Sequence, residues 1–173
     1  KMGSSTIKRY SMELGGNAPV IVFDDANLEL AADIITALKF GNAGQICVTP
    51  NRVFVADNIK EEIVNLIVDR AKKIKVGHNK DEDINMGPLI DEMALSRVTE
   101  LVNDAIQNGA KLLHGGKKPD DFKNDGYFYE PTVIDNVKTS MRVFKEEVFG
   151  PVISICNFND EDEIINEANN TDA

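Results

Sequence analysis

Strand-like and helix-like stretches alternate along this chain, and that alternation limits its fold more than any other feature. Pro19 to Phe23 (PVIVF) is a short apolar, β-branched run, as a buried strand requires. A helical pattern follows from about Asn27 to Phe40, with Leu28, Ala31, Ala32, Ile35 and Leu38 at helical spacing. Gly41-Asn42-Ala43-Gly44 breaks it. Arg52 to Ala56 (RVFVA) reads as a second strand, and Ile59 to Ile74 as a second helix with Ile63, Leu66, Ile67 and Ala71 on one face. The stretch 77–88 is polar and marked by Gly and Pro, hence a loop. A third helix is expected from Asp91 to Asn108, capped by Gly109. Lys111 to His114 is a short strand, Tyr127 to Ile134 is extended, Val152 to Phe158 is a further strand, and a helix opens near Asp160. Strands joined by helices of a dozen residues form βαβ units, which build a mostly parallel sheet covered on both faces. The expected class is α/β, a three-layer αβα domain.

Bulk properties remove several function classes. The chain has 173 residues, enough for one domain with a sizeable core. Its net charge is −10, a balance that repels phosphate backbones, so nucleic-acid binding is not expected. No apolar run approaches the roughly 20 residues of a membrane span. No basic-then-apolar leader opens the chain, so the cytoplasm is the expected location. Two cysteines, Cys47 and Cys156, do not make a disulfide scaffold. His78 and His114 stand in no metal-ligand spacing, so no metal is expected, and neither lies in a motif that pairs a cysteine with a histidine for hydrolysis. Position 1 is not Met, and Asn169-Asn170-Thr171-Asp172-Ala173 carries no helix stop. Both ends are therefore expected to be cuts from something longer.

Three segments carry residues of chemical interest. Gly44-Gln45-Ile46-Cys47-Val48-Thr49-Pro50-Asn51-Arg52 places a cysteine between a glycine-broken helix end and a strand. Such junctions hold many catalytic groups, although a cysteine there can equally be an inert core residue. Met12-Glu13-Leu14-Gly15-Gly16-Asn17-Ala18-Pro19 sets a glutamate beside a Gly-Gly turn. Partial desolvation there would make it a usable base, and full solvation an ordinary turn residue. Lys145-Glu146-Glu147-Val148-Phe149-Gly150-Pro151 offers a carboxylate that can accept from a ribose diol and an aromatic that can cover a flat ring. It also reads as a charged helix end followed by a core Phe.

Taken in order, Glu-Leu-Gly-Gly-x-x-Pro, Gly-Gln-x-Cys with Arg five residues on, and Glu-Glu-x-Phe-Gly-Pro closely resemble the aldehyde dehydrogenase superfamily. Lesser marks agree: Asn85-Met86-Gly87-Pro88-Leu89-Ile90, Gly109-Ala110 before a strand and Gly-Gly, and Tyr129-Glu130-Pro131-Thr132-Val133. The resemblance covers essentially the whole chain. It implies that residues 1–173 are the catalytic domain, with the NAD- or NADP-binding domain absent from this chain. It implies Cys47 as nucleophile toward a small aldehyde and Glu13 as the base that activates water. It implies Glu147, Phe149, Leu14 and Gly15 as cofactor contacts, and a homo-oligomeric full-length parent. The Gly-Gly-Asn-Ala-Pro and Asn-Ala-Gly-Gln runs look most like succinate-semialdehyde dehydrogenases. Those usually carry Arg where this chain has Gly41, and often a second Cys where it has Thr49. Cys156, inside VISICNF, is expected in the core. A CoA-acylating enzyme and a catalytically incompetent isolated domain remain as alternatives.

Overall fold

The computed structural model describes residues 7–78, 83–122 and 125–172. Part of the loop expected over 77–88, residues 79–82, therefore lies outside the described residues, as does Ala173. Strand β1 (Pro19–Val22) leads to helix α1 (Leu28–Phe40), β2 (Arg52–Ala56), α2 (Lys60–Ala71) and α3 (Glu92–Gln107). Strands β3 (Lys111–His114) and β4 (Thr132–Asp135), the short helix α4 (Arg142–Lys145), β5 (Val152–Phe158) and α5 (Glu161–Asn169) follow. The five strands form one sheet in the order β1-β2-β5-β4-β3. All neighbours run parallel except β3, which joins the edge antiparallel to β4. The α/β class and mostly parallel sheet read from the sequence are thus present.

Helix starts follow local chemistry. The side chains of Asn27, Asp91 and Asp160 accept from Leu30, Ala94 and Glu163 N–H, satisfying donors that the first turn leaves open. The third helix ends with Asn108 as its cap residue, and Gly109 follows at φ 100°, in the region that favours glycine. Helices cover both faces of the sheet. Lys60 of α2 pairs with Asp135 at 3.0 Å on one face. Phe54 and Phe144 of α4 meet edge-on, centroids 5.8 Å apart, on the other. One apolar cluster runs through these layers, including Ile35, Val53, Ile63, Leu101, Val133 and Ile155.

Four details differ from expectation. Strand β1, read as buried, lies at the sheet edge with only Val22 buried. The strand after Tyr127 is confined to Thr132–Asp135, although Phe128 and Tyr129 are fully buried. Helix α4 is only four residues long, and the sequence marked only its charged end at Lys145. In α1, Leu38 is exposed and Lys39 occupies the buried face beside Ile35, Thr36 and Phe40. The reason is a pair of acceptors under the helix end, described next.

Candidate active site

The three chemically suggestive segments each run into the N-terminal end of a parallel strand. Residues 12–18 enter β1, 44–51 enter β2 and 145–151 enter β5. Those strands are neighbours, with Pro19 beside Arg52 and Val53 beside Ile155, so the segments converge. In many α/β sheets ligands sit at the carboxyl ends instead. Topology, and not periodicity, brings these groups together.

The end of α1 delivers the cysteine. Asn42, Ala43 and Gly44 adopt φ of 51°, 54° and 72°, three successive left-handed residues that fold the chain back sharply. A side chain at Gly44 would overlap the Gly150 carbonyl, so two backbones touch there directly. Gln45 then braces the turn. Its amide Nε2 donates to Asn42 O at 3.0 Å, and its Oε1 accepts from Ile90 N at 2.8 Å. Cys47 lies exposed on this loop, whereas Cys156 is buried and its thiol is pushed up to about 12, chiefly by desolvation. The expectation for Cys156 is met, and Cys47 is not a core thiol.

Glu147 is half-buried and turned toward the Gly-Gly turn. Its Oε1 accepts from Gly16 N at 3.1 Å, and a side chain at Gly15 would overlap its Oε2. A Cβ on Gly16 would lie 2.7 Å from the Cys47 carbonyl oxygen. The structure therefore brings Gly15, Gly16, Glu147 and the Cys47 backbone into one contact set. Phe149 is 43% exposed, not a core residue, and lines a cleft with Asn42, Gln45, Pro88, Leu89 and Ile90. Leu14 and Glu13 are exposed on the strand-entry segment. For Glu13 the solvated environment is the one found. Gly41 faces open space.

Beneath this surface lies a polar layer that sequence reasoning missed. Asn51 Nδ2 donates to Asn17 Oδ1 at 2.6 Å and to Glu146 O at 3.1 Å, while its Oδ1 accepts from Val148 N at 2.8 Å. Asn17 Nδ2 donates to Phe144 O at 3.1 Å. Lys39 Nζ donates to Val148 O at 3.0 Å and to Thr49 Oγ1 at 3.4 Å. Desolvation lowers the Lys39 ammonium to about 8, against the pull of the Glu147 charge. Arg52 is fully buried, donating to the carbonyls of Asn17, Glu167 and Ala168 and lying 5.3 Å from the Phe144 ring centroid. Two signals for this layer stand in the sequence: Arg52, five residues past Cys47 at the start of an apolar strand, and a lysine one helical turn beyond Ile35. Among the described residues no cluster of three or more His, Cys, Asp or Glu is arranged to hold a metal ion, and no helix is long and apolar enough to cross a membrane.

A thiol presented on a braced loop, with a carboxylate and an exposed aromatic from a second loop, is an arrangement that nucleophilic catalysis can use. Residues 1–173 match the model of the aldehyde dehydrogenase family, and the chain belongs to that family. It is 44% identical over 171 residues to succinate-semialdehyde dehydrogenase [NADP(+)] 1 of Schizosaccharomyces pombe, covering 99% of this chain and 34% of that protein. Succinate-semialdehyde dehydrogenase from Burkholderia pseudomallei superposes with a TM-score of 0.92 at 40% identity, over 97% of this chain and 34% of that one. Betaine aldehyde dehydrogenase from Staphylococcus aureus, in complex with NAD+, superposes at 0.87 with 43% identity, over 92% and 32%. The chain thus spans about a third of the length of the relatives it matches.

Proposed function

We propose that this chain is the catalytic portion of an NAD- or NADP-dependent aldehyde dehydrogenase that releases a free acid. The observation that carries the reading is the contact set of Gly16, Glu147 and the Cys47 backbone. It joins the thiol loop to the carboxylate loop at the mouths of three adjacent strands. Cys47, as thiolate, attacks the aldehyde carbon and forms a thiohemiacetal, with its own N–H available to the oxyanion. The nicotinamide supplies the hydride acceptor when bound. Loss of hydride leaves a thioester on Cys47. Glu13, whose base role rests on the family resemblance and not on its solvated setting here, takes a proton from water, the resulting hydroxide adds to the thioester carbon, and the thiolate leaves as the acid forms. Glu147 and Phe149 fit a nucleotide cofactor in kind, a carboxylate to accept from a ribose diol beside an exposed aromatic face. Leu14 and Gly15 complete that side of the site. The role of these residues is to position the reacting carbons.

The relatives' names put succinate semialdehyde first among substrates. Gly41 offers no cation to its carboxylate, so neutral aldehydes of similar length belong in the same panel. The test assays the protein carrying this chain on that panel with NAD and NADP, beside Cys47→Ala. Activity should fall by on the order of a thousandfold or more in the variant. A variant that keeps its rate overturns the nucleophile. Turnover that requires coenzyme A instead of water identifies the acylating alternative. The 173-residue chain alone is expected to turn over poorly, because it spans only about a third of its relatives.

A further inference from the structure

Asn51 lies four residues past Cys47 and is buried, yet its amide meets the chain on both sides of Glu147. It donates to the Glu146 carbonyl at 3.1 Å and accepts from the Val148 N–H at 2.8 Å. The Val148 carbonyl accepts in turn from Lys39 at 3.0 Å. Three backbone groups bracketing Glu147 are thus held by two side chains from the cysteine side of the site. Lys39 also reaches Thr49, two residues past Cys47, so the same ammonium touches both loops. Both side chains are at least 98% buried, which keeps them from direct contact with a ligand at the surface. Burying an ammonium and an amide is costly, and an apolar pair would fill the volume more cheaply. What the polar ends accomplish is to fix one loop against the other.

We propose that Asn51 and Lys39 are positioning residues that set the Glu147 carboxylate against the cysteine loop and act on cofactor binding through Glu147. The inference rests on the reading of Glu147 as a cofactor contact. The clamp holds the peptides on either side of Glu147, and Gly16 N–H holds its carboxylate. Pre-ordering an acceptor in this way spares the ligand the ordering cost. Loosening either clamp point therefore weakens nucleotide binding more than it changes the thiol.

The experiment titrates NAD and NADP into the protein carrying this chain and into Asn51→Ala, Lys39→Met, Glu147→Gln and the double variant Lys39→Met/Glu147→Gln. Each single variant is expected to weaken binding about tenfold, the scale of one lost buried hydrogen bond. The alkylation rate of Cys47 by iodoacetamide, measured without cofactor in Asn51→Ala and Lys39→Met, should change by less than cofactor binding does. In the Glu147→Gln background, Lys39→Met should cause no further loss. Met keeps the Lys39 stem and removes a buried charge, so this variant is expected to fold even where Asn51→Ala does not. Binding losses that add in the double variant, or a loss that merely tracks a fall in Tm, overturn the positioning role. If Glu147→Gln binds cofactor like wild type, the reading of Glu147 itself fails, a result distinct from failure of the clamp.

Discussion

Two polar regions of this molecule use similar residues to opposite effect. Under the site, Arg52, Lys39, Asn51 and Asn17 are buried, and most of their partners are backbone groups on other segments. Along the α3–α4 edge, Arg142 bridges Glu100 and Glu146, and Arg97 also meets Glu146, with these side chains 32% to 59% exposed. Arg142 and its neighbour hold the Glu146 carboxylate below its usual range. That shift reports a solvent-screened pair, which contributes little to stability. The buried layer differs because water cannot replace a lost partner. Charge count is therefore a poor guide here, and the number of backbone groups left unpaired on deletion is a better one.

The largest contrast is expected at Arg52. Arg52→Met strands the carbonyls of Asn17, Glu167 and Ala168 and should cost about 3–5 kcal/mol in urea unfolding. A loss below about 1 kcal/mol would erase the distinction between the regions. Lys39 sharpens the comparison through pH. Its folded value, about 8, lies below its unfolded value of 10.5, so the folded chain binds fewer protons between them. Stability from this group is lowest below pH 8 and recovers as pH rises toward 10.5. Relative to Lys39→Met, wild type should gain up to about 3 kcal/mol across that window, read from paired melts. A flat difference would mean that Lys39 is not desolvated as its burial implies. The smallest effect belongs to the exposed network. Glu100→Gln should leave the urea unfolding midpoint almost unchanged, and added salt should shrink the change further.

The fold was largely legible because its strands and helices announce themselves by period. Arg52–Ala56, Lys111–His114 and Val152–Phe158 fall where the pattern puts them. The antiparallel direction of β3 was not legible, because a four-residue strand carries no mark of its partner's direction. The candidate site was visible as three motifs, but their meeting depends on strand order, a long-range property absent from any local window. Asn51 and Asn17 were hidden for a related reason. Each looks like a turn residue in its own segment and becomes a brace only when the other is 34 positions away in sequence and 2.6 Å away in space. Lys39, one turn beyond Ile35, takes the buried face that the pattern gave to Leu38, because its ammonium finds acceptors at Val148 and Thr49.

The contact between Gly44 and Gly150 bears on anyone recombining parts of these enzymes. No side-chain layer separates the two loops at that point, so nothing compressible can absorb a mismatch in their paths. A cysteine loop transplanted from a relative brings its own backbone trace, and that trace must fit the trace of the loop it abuts. The two segments, a hundred residues apart in the chain, therefore form a single graftable unit. Chimeras that exchange one and keep the other place their crossover through a joint with no side chain to give way.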